Sequence, residues 1–475
     1  MNLYKYILVI LILAAATTGL YAATDAQTGL TPALLDELRA ATQMSSAGTA
    51  LMNALTNNEI NKLALNREFL KKHNNYFSNK IETKGIADQE NSGRCWLFAG
   101  LNVLRPAIIK KYNLDEFEFS QSYLSFWDKL EKANFFLEYV IQTADRDLRD
   151  RELDFMLNEA VGDGGYWAWF AELVEKYGVV PKDAFPETQS SSNTSLMTMA
   201  IDEQLVAGAA GLRRMAHSGS DQAELRIKKL EILKTVYKIL VLNFSEPPVQ
   251  FIWRYEDKDD IVSDGNVYTP KQFYHEVVGI NLRDYVSLLN YPGRDFYKLY
   301  QFDNCRNIFD TQDPVYANLP IAEIKTLVKK SILSNEPVWF GCDIGKAADR
   351  DKGILSIKIF DYDPIYQTGI MLDKETRIAY RYTTANHAMV LLGVDIQQGK
   401  IVKWLVENSH GKESGHEGML TMYDDWFDEY VYEAIISVKY LPPAIKNIFK
   451  ETPVHLPIWD PMSEILNLTD VQGHF

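Results

Sequence analysis

The pattern of apolar and polar positions changes character along the chain. Across residues 27–75, Leu34, Leu35 and Leu38, then Leu63, Leu65 and Leu70, form apolar stripes at helical spacing. Leu97, Leu101, Leu104 and Ile108 follow at intervals of four, three and four, which predicts a helix over 95–112 with one apolar face. Pro106 inside that stretch is expected to kink the helix or end it early. Residues 120–180 are aromatic-rich and read as mostly helical, interrupted by the tight loop Gly162-Asp163-Gly164-Gly165. The polar run 186–195 reads as a loop, and 222–243 as a further helix within a mixed stretch reaching 330. Beyond it the segments 336–345, 386–395, 400–407 and 431–440 read as buried strands. Helices first and strands last predict an α+β architecture with a cleft between two halves.

Composition narrows the partners. The chain has 475 residues, which exceeds one ordinary domain and calls for a large core with insertions or several domains. Lys and Arg total 49 against 64 Asp and Glu, a net charge of −15. That balance argues against nucleic acid as the main partner, because phosphate binding needs a basic face. Three cysteines, Cys95, Cys305 and Cys342, are too few for a disulfide scaffold, and no CxxC pair offers a zinc ribbon. At the N-terminus, Lys5 precedes an unbroken apolar run from Ile7 to Ala16, then small residues ending in Tyr21-Ala22-Ala23. This is the layout of a secretory signal peptide over residues 1–22, cleaved near Ala22 or Ala23. The run is short for a membrane span, and no later stretch reaches that length. The mature chain is therefore expected to be exported to a periplasm or beyond, with no membrane span.

The chemistry begins at Cys95. It follows the turn Ser92-Gly93-Arg94 and opens a predicted helix, whose positive N-terminal end favours a thiolate. A cysteine alone reads as core packing. Its company changes the reading. His387 starts the strand 386–395, and Asn408 ends the strand 400–407. Antiparallel neighbours would bring these two ends together. An imidazole can take the thiol proton and return it to a leaving amine, while an Asn carbonyl holds the ring in one tautomer. Gln89, six residues before Cys95, can complete an oxyanion hole with the Cys95 backbone N–H.

Gln89-Glu90-Asn91-Ser92-Gly93-Arg94-Cys95-Trp96-Leu97-Phe98-Ala99 resembles the active-site signature of the bleomycin hydrolase and aminopeptidase C family of papain-like cysteine peptidases. The resemblance continues through Phe117–Leu137, Asp163–Trp167, Lys176–Pro181, Val338–Lys346, His387–Val390, Val406–Ser409 and Leu456–Met462. It implies a papain-like fold with a helical left half, a β-rich right half, a large insertion and a C-terminal arm. In this chain those parts fall at 80–185, 331–445, 186–330 and 446–475, within a peptidase spanning 23–475. It also implies catalytic roles for Cys95, His387, Asn408 and Gln89, and places Gly164 and Gly165 on a loop that pairs with substrate backbone. No cofactor or metal is implied. The implied activity is aminopeptidase action on peptides through an acyl-enzyme on Cys95, in a homohexamer whose sites face an inner chamber.

The sequence departs from the family pattern in three places. His410 stands after Asn408-Ser409 where papain-like enzymes carry a Trp that shields the His–Asn hydrogen bond. The export signal contrasts with a largely cytosolic family. Thirteen residues follow Met462, several more than the family arm carries. The longer tail keeps an endopeptidase or dual-action reading open, and His410 keeps open a secreted binding protein with an inactive site. Cys342 reads as core, and Cys305 as its candidate disulfide partner. His275-Glu276-Val277-Val278-Gly279 misses the HExxH zinc pattern at its last position.

Overall fold

The computed structural model describes residues 29–158, 160–369 and 371–466. The signal-peptide expectation and the last nine residues of the tail therefore lie outside the described residues. The chain divides into two compact units: residues up to Leu65 with Asp361–Thr368, and Asn66–Phe360 with the residues from Gly369 on. In the first unit the stretch expected to be helical holds the helices Pro32–Ala41, with Leu34, Leu35 and Leu38, Ser46–Asn57, and Ile60–Ala64, with Leu63; the first two are capped by Thr31 and Ser45 side chains.

The second unit carries every candidate site residue. Helix α1, Cys95–Lys111, continues past Pro106, so the proline does not end it early. A proline inside a helix costs about 3 kcal/mol. Fourteen of the helix's 17 residues are buried, Leu97, Leu101 and Leu104 almost completely. Burying one leucine contributes about 1.5–3 kcal/mol, so packing outweighs the missing hydrogen bond. The helix is buried on all sides rather than on one face, as its central position requires. It lies against helix α2 (Gln121–Gln142) and helix α3 (Trp167–Tyr177) on one side and against strands of the sheet on the other. Two further long helices follow, α4 (Ser195–His217) and α5 (Gln222–Phe244). Helix α4 was not foreseen, because its Gly- and Ala-rich sequence gives a weak periodic signal.

The sheet starts earlier than expected. Strands β1 (Tyr285–Leu289), β2 (Lys298–Phe302) and β3 (Val315–Asn318) fall in the stretch read as insertion, yet join the main sheet. They are four or five residues long and mix tyrosines with polar residues, so no long apolar run marks them. The helix α6 (Ile321–Leu333) leads to the four strands expected from the sequence, β4 (Val338–Cys342), β5 (His387–Gln397), β6 (Lys400–Glu407) and β8 (Val431–Ser437), and to β7 (Met419–Tyr423), which the apolar pattern did not mark. Across the centre the order is β2-β3-β1-β8-β4-β5-β6-β7. The first nine residues of β5 are buried, in keeping with a strand covered on both faces. Cys305 and Cys342 are buried free thiols, so the suggested disulfide is not formed.

Candidate active site

Sheet register sets the first contact. Strand β5 pairs antiparallel with β4, His387 opposite Cys342, and with β6, Val390 opposite Glu407. His387 and Asn408 thus emerge at the same end of adjacent strands. Their side chains meet, with His387 Nε2 2.8 Å from Asn408 Oδ1. Asn408 Oδ1 also accepts the Ser409 N–H at 2.9 Å, which marks it as the oxygen. Nε2 must then donate, and the lone pair of a neutral imidazole lies on Nδ1. The geometry leaves Nδ1 as the proton acceptor.

Behind this pair lies a buried ion pair. Arg105 of α1 donates to both oxygens of Glu407 at 2.7 Å, and Asn102 Nδ2 donates to one of them at 2.9 Å. Burial pushes the Glu407 carboxyl up, and the Arg105 guanidinium opposes it. Glu407 precedes Asn408, so the bond ties α1 to the end of β6.

Cys95 is the first residue of α1 and is buried. The helical ladder begins with Leu97 and Phe98 donating to Arg94, so the Cys95 N–H lies ahead of it. The turn before it is pinned from two directions. Arg94 pairs with Glu187 at 2.9 Å, and its Nε donates to Ser92 Oγ. Burial raises the Glu187 carboxyl, but Arg94 outweighs it and the net direction is downward. The Gly93 N–H donates to Asp163 at 3.0 Å. Asp163 also receives Lys129 of α2 at 2.6 Å and the Thr194 hydroxyl, and its backbone carbonyl receives the Trp96 indole N–H at 2.7 Å. Burial works against ionisation of Asp163, but these donors, Lys129 foremost, hold its carboxyl well below the usual range. Sequence reading took Asp163 only as part of a glycine loop; it is the knot joining that loop to the Cys95 turn.

Gln89 is buried beside the Asn408 segment. Its backbone N–H donates to Ser409 O at 2.8 Å, and its side-chain oxygen accepts the Ser409 hydroxyl at 2.6 Å. Its Nε2 donates to Ser92 O at 2.6 Å. An amide nitrogen has two hydrogens, so one remains to meet an oxyanion. Gly165 lies against the Trp96 ring, where a Cβ would come within 2.5 Å of the indole, so only glycine fits. The Gly164 carbonyl accepts Lys132 at 2.7 Å. Of the two glycines expected to pair with substrate, Gly164 thus has its carbonyl engaged internally.

Two cavities flank this cluster. One, of about 520 Å³, is lined by Gln89, Asn193, Arg350, His387, Asn408 and His410. The other, of about 190 Å³, is lined by Gly164, Gly165, Tyr166, Ile458, Ser463 and Glu464. The C-terminal arm reaches the second. Ile465 O accepts the Ala385 N–H at 2.8 Å, and Glu464 O accepts the Thr384 hydroxyl at 3.1 Å. The arm thereby docks two residues from His387. His410, in place of the expected Trp, stacks on His387 with ring centres 5.2 Å apart and planes 15° apart. Burial, then the neighbouring His410, then Arg350 pull His387 down to about 3, against the Asn408 hydrogen bond.

A thiol at a helix start, an imidazole oriented by an amide, and a second amide beside the turn are the groups of a thiol hydrolase on an α+β scaffold. The model of the Peptidase C1-like family matches residues 29–463, and the chain belongs to that family. It is 36% identical over 441 residues to Aminopeptidase C of Streptococcus thermophilus, spanning 92% of this chain and 99% of that protein. It is 35% identical over 425 residues to Bleomycin hydrolase of Homo sapiens, spanning 87% and 93%. The solved structure of pepw from Lactobacillus rhamnosis HN001 superimposes with a TM-score of 0.89 at 36% identity, covering 92% of this chain and 99% of that one.

Proposed function

We propose that this chain is a cysteine aminopeptidase that hydrolyses N-terminal residues from peptides through an acyl-enzyme on Cys95. The observation that carries the reading is the His387–Asn408 bond at 2.8 Å, which leaves Nδ1 as base beside the helix opened by Cys95. The names of the relatives point the same way. In this reading His387 accepts the thiol proton and the Cys95 sulfur attacks the scissile carbonyl. Gln89 Nε2 and the Cys95 N–H receive the oxyanion. The imidazolium then protonates the leaving amine, and water releases the acyl group. Asn408 holds the ring, and Gly165 pairs with the substrate backbone. The C-terminal arm residues Ser463 and Glu464 in the wall of the small cavity favour release of single residues over internal cleavage.

The papain-like division into a helical half, a β-rich half, an insertion used in assembly and a C-terminal arm belongs to the same proposal. So do export through residues 1–22 and a homohexamer. The deciding experiment pairs free and N-acetylated fluorogenic peptides on the purified mature protein. Cleavage of free amines only, lost by at least about 10³-fold in Cys95→Ala, is the expected result. Equal cleavage of blocked peptides would show an endopeptidase instead. No turnover under reducing conditions, with no labelling of Cys95 by an epoxide, would show an inactive site.

A further inference from the structure

The larger cavity has a chemistry that the proposed reaction does not use. His387 must face the nitrogen it protonates, so a cavity with His387 in its wall lies on the leaving-group side of the scissile bond. The Gly164–Gly165 cavity, lined in part by the arm, lies on the other. The leaving-group cavity has Asn193, Ser195 and Ser414 in its wall, and it holds one guanidinium, that of Arg350. In a chain of net charge −15, a cation in the cleft stands against the general balance.

The fold fixes where Arg350 sits. It follows the short strand Ala348–Asp349 and begins a turn closed by the Gly353 N–H donating to Arg350 O at 3.1 Å. Gly353 has φ +65° and is pressed against the Cα of Gly415, where a Cβ would come within 2.9 Å. Thr421 of β7 donates to Gly353 O at 2.7 Å. The turn is therefore clamped between the edge of the sheet and the loop carrying Ser414. Arg350 is half-buried, and burial disfavours its charge while Asp343 supports it. Asp343 itself is engaged by Thr383, Asn386 and the Gly345 N–H. Glu90 is the acidic residue lining the cavity, and it is solvent-exposed, where screening weakens it. A guanidinium carries five donors in a planar fork, so it can keep contacts within the protein and still receive a carboxylate.

We infer that this cavity is a carboxylate subsite, in which Arg350 selects substrates carrying a carboxylate on the leaving-group side of the scissile bond. The inference rests on the aminopeptidase reading above and adds its substrate class. The carboxylate has two sources: an acidic side chain next to the cleaved bond, or the C-terminus of a dipeptide.

Four substrates separate these sources: Leu-Glu-amide against Leu-Gln-amide, and Leu-Gly against Leu-Gly-amide. The wild-type protein is expected to favour the carboxylate member of at least one pair by about tenfold or more in kcat/KM, as a charge-assisted bond allows. Preference in the first pair assigns the acidic side chain; preference in the second assigns the terminal carboxylate. In Arg350→Gln the ratio is expected to fall to about one, while Arg350→Lys keeps part of it. Ratios near one in the wild type, or a preference that survives Arg350→Gln, would overturn the inference. Cleavage of the neutral amides separates the two levels: neutral and charged members cut alike remove this inference alone. If none of the four is cut, the aminopeptidase reading falls and takes the inference with it.

Discussion

The cavity lined by Gly164 and Gly165 and the cavity lined by His387 are built by different means. The wall at Gly164 and Gly165 is held by buried charge. Lys129 meets Asp163, Lys132 meets Asp128 at 2.6 Å and also the Gly164 carbonyl, and the C-terminal arm lies over it. The wall at Gln89, His410 and Arg350 is held by neutral bonds between two loops: Gln89 N–H to Ser409 O, and Gly411 N–H to Ala87 O at 3.2 Å. The first cavity is about 190 Å³ and the second about 520 Å³. In the proposed reading, rigid ionic anchoring suits the side that would receive the single residue released. Hydrogen-bonded loops then suit the side that would receive the rest of the peptide.

The sharpest way to break this contrast is Asp163→Ala. It strips the partner from Lys129, which is almost fully buried, and frees the Gly93 N–H and the Thr194 hydroxyl together. Breaking a buried pair by removing one member costs about 3–5 kcal/mol. A urea melt should show a loss of that size, with turnover falling alongside because the Cys95 turn loses its anchor. A loss below about 1 kcal/mol would mean that the ionic wall is not what holds the small cavity. The corresponding change on the neutral wall is smaller. Ser409→Ala removes the hydroxyl that grips Gln89 Oε1 at 2.6 Å. About 1 kcal/mol of stability should be lost. With the proposed oxyanion amide of Gln89 loosened but present, kcat should fall roughly tenfold and KM should change little. A change in KM alone would move Gln89 from transition-state contact to ground-state binding.

How legible each wall was follows from its physics. The His387–Asn408 meeting was readable because two apolar strands, each with a polar residue at one end, leave little choice of pairing. The site's first helix was readable from the spacing of Leu97, Leu101 and Leu104, although its passage through Pro106 was not, since burial on all sides is a tertiary property. Asp163 was hidden. Its partners Gly93, Lys129 and Thr194 lie 70, 34 and 31 positions away, and a glycine-flanked aspartate reads locally as a turn. Arg350 was hidden for the opposite reason: one arginine in a charged loop has no period and no motif. The strands β1, β2 and β3 escaped because short, tyrosine-rich segments are given their place by neighbours rather than by their own pattern.

The smallest effect concerns pH, where the two walls should separate most cleanly. On the neutral wall His387 and His410 both lie below their ordinary value of 6.5: burial lowers each, and Arg350 adds to it, while Asp88 opposes it at His410. Below pH 6.5 the unfolded chain therefore binds protons that the native state refuses. Stability falls as pH drops from there, continuing toward about 3 for His387. Asp163 behaves in the other sense. Its carboxyl lies below 3.8, so its contribution is present above that value and is lost only as pH falls further, through the lowered native value. The histidine wall should weaken first and the ionic wall last. His410→Trp tests this, since a stacked ring still covers the His387–Asn408 bond while one titrating group disappears. Activity above pH 7 should stay within roughly threefold of wild type. The slope of unfolding free energy between pH 6 and 4 should decrease by up to about 1.4 kcal/mol per pH unit, the weight of one proton. An unchanged slope would mean that His410 takes its proton in the folded state, and that acid sensitivity on this side belongs to His387 alone.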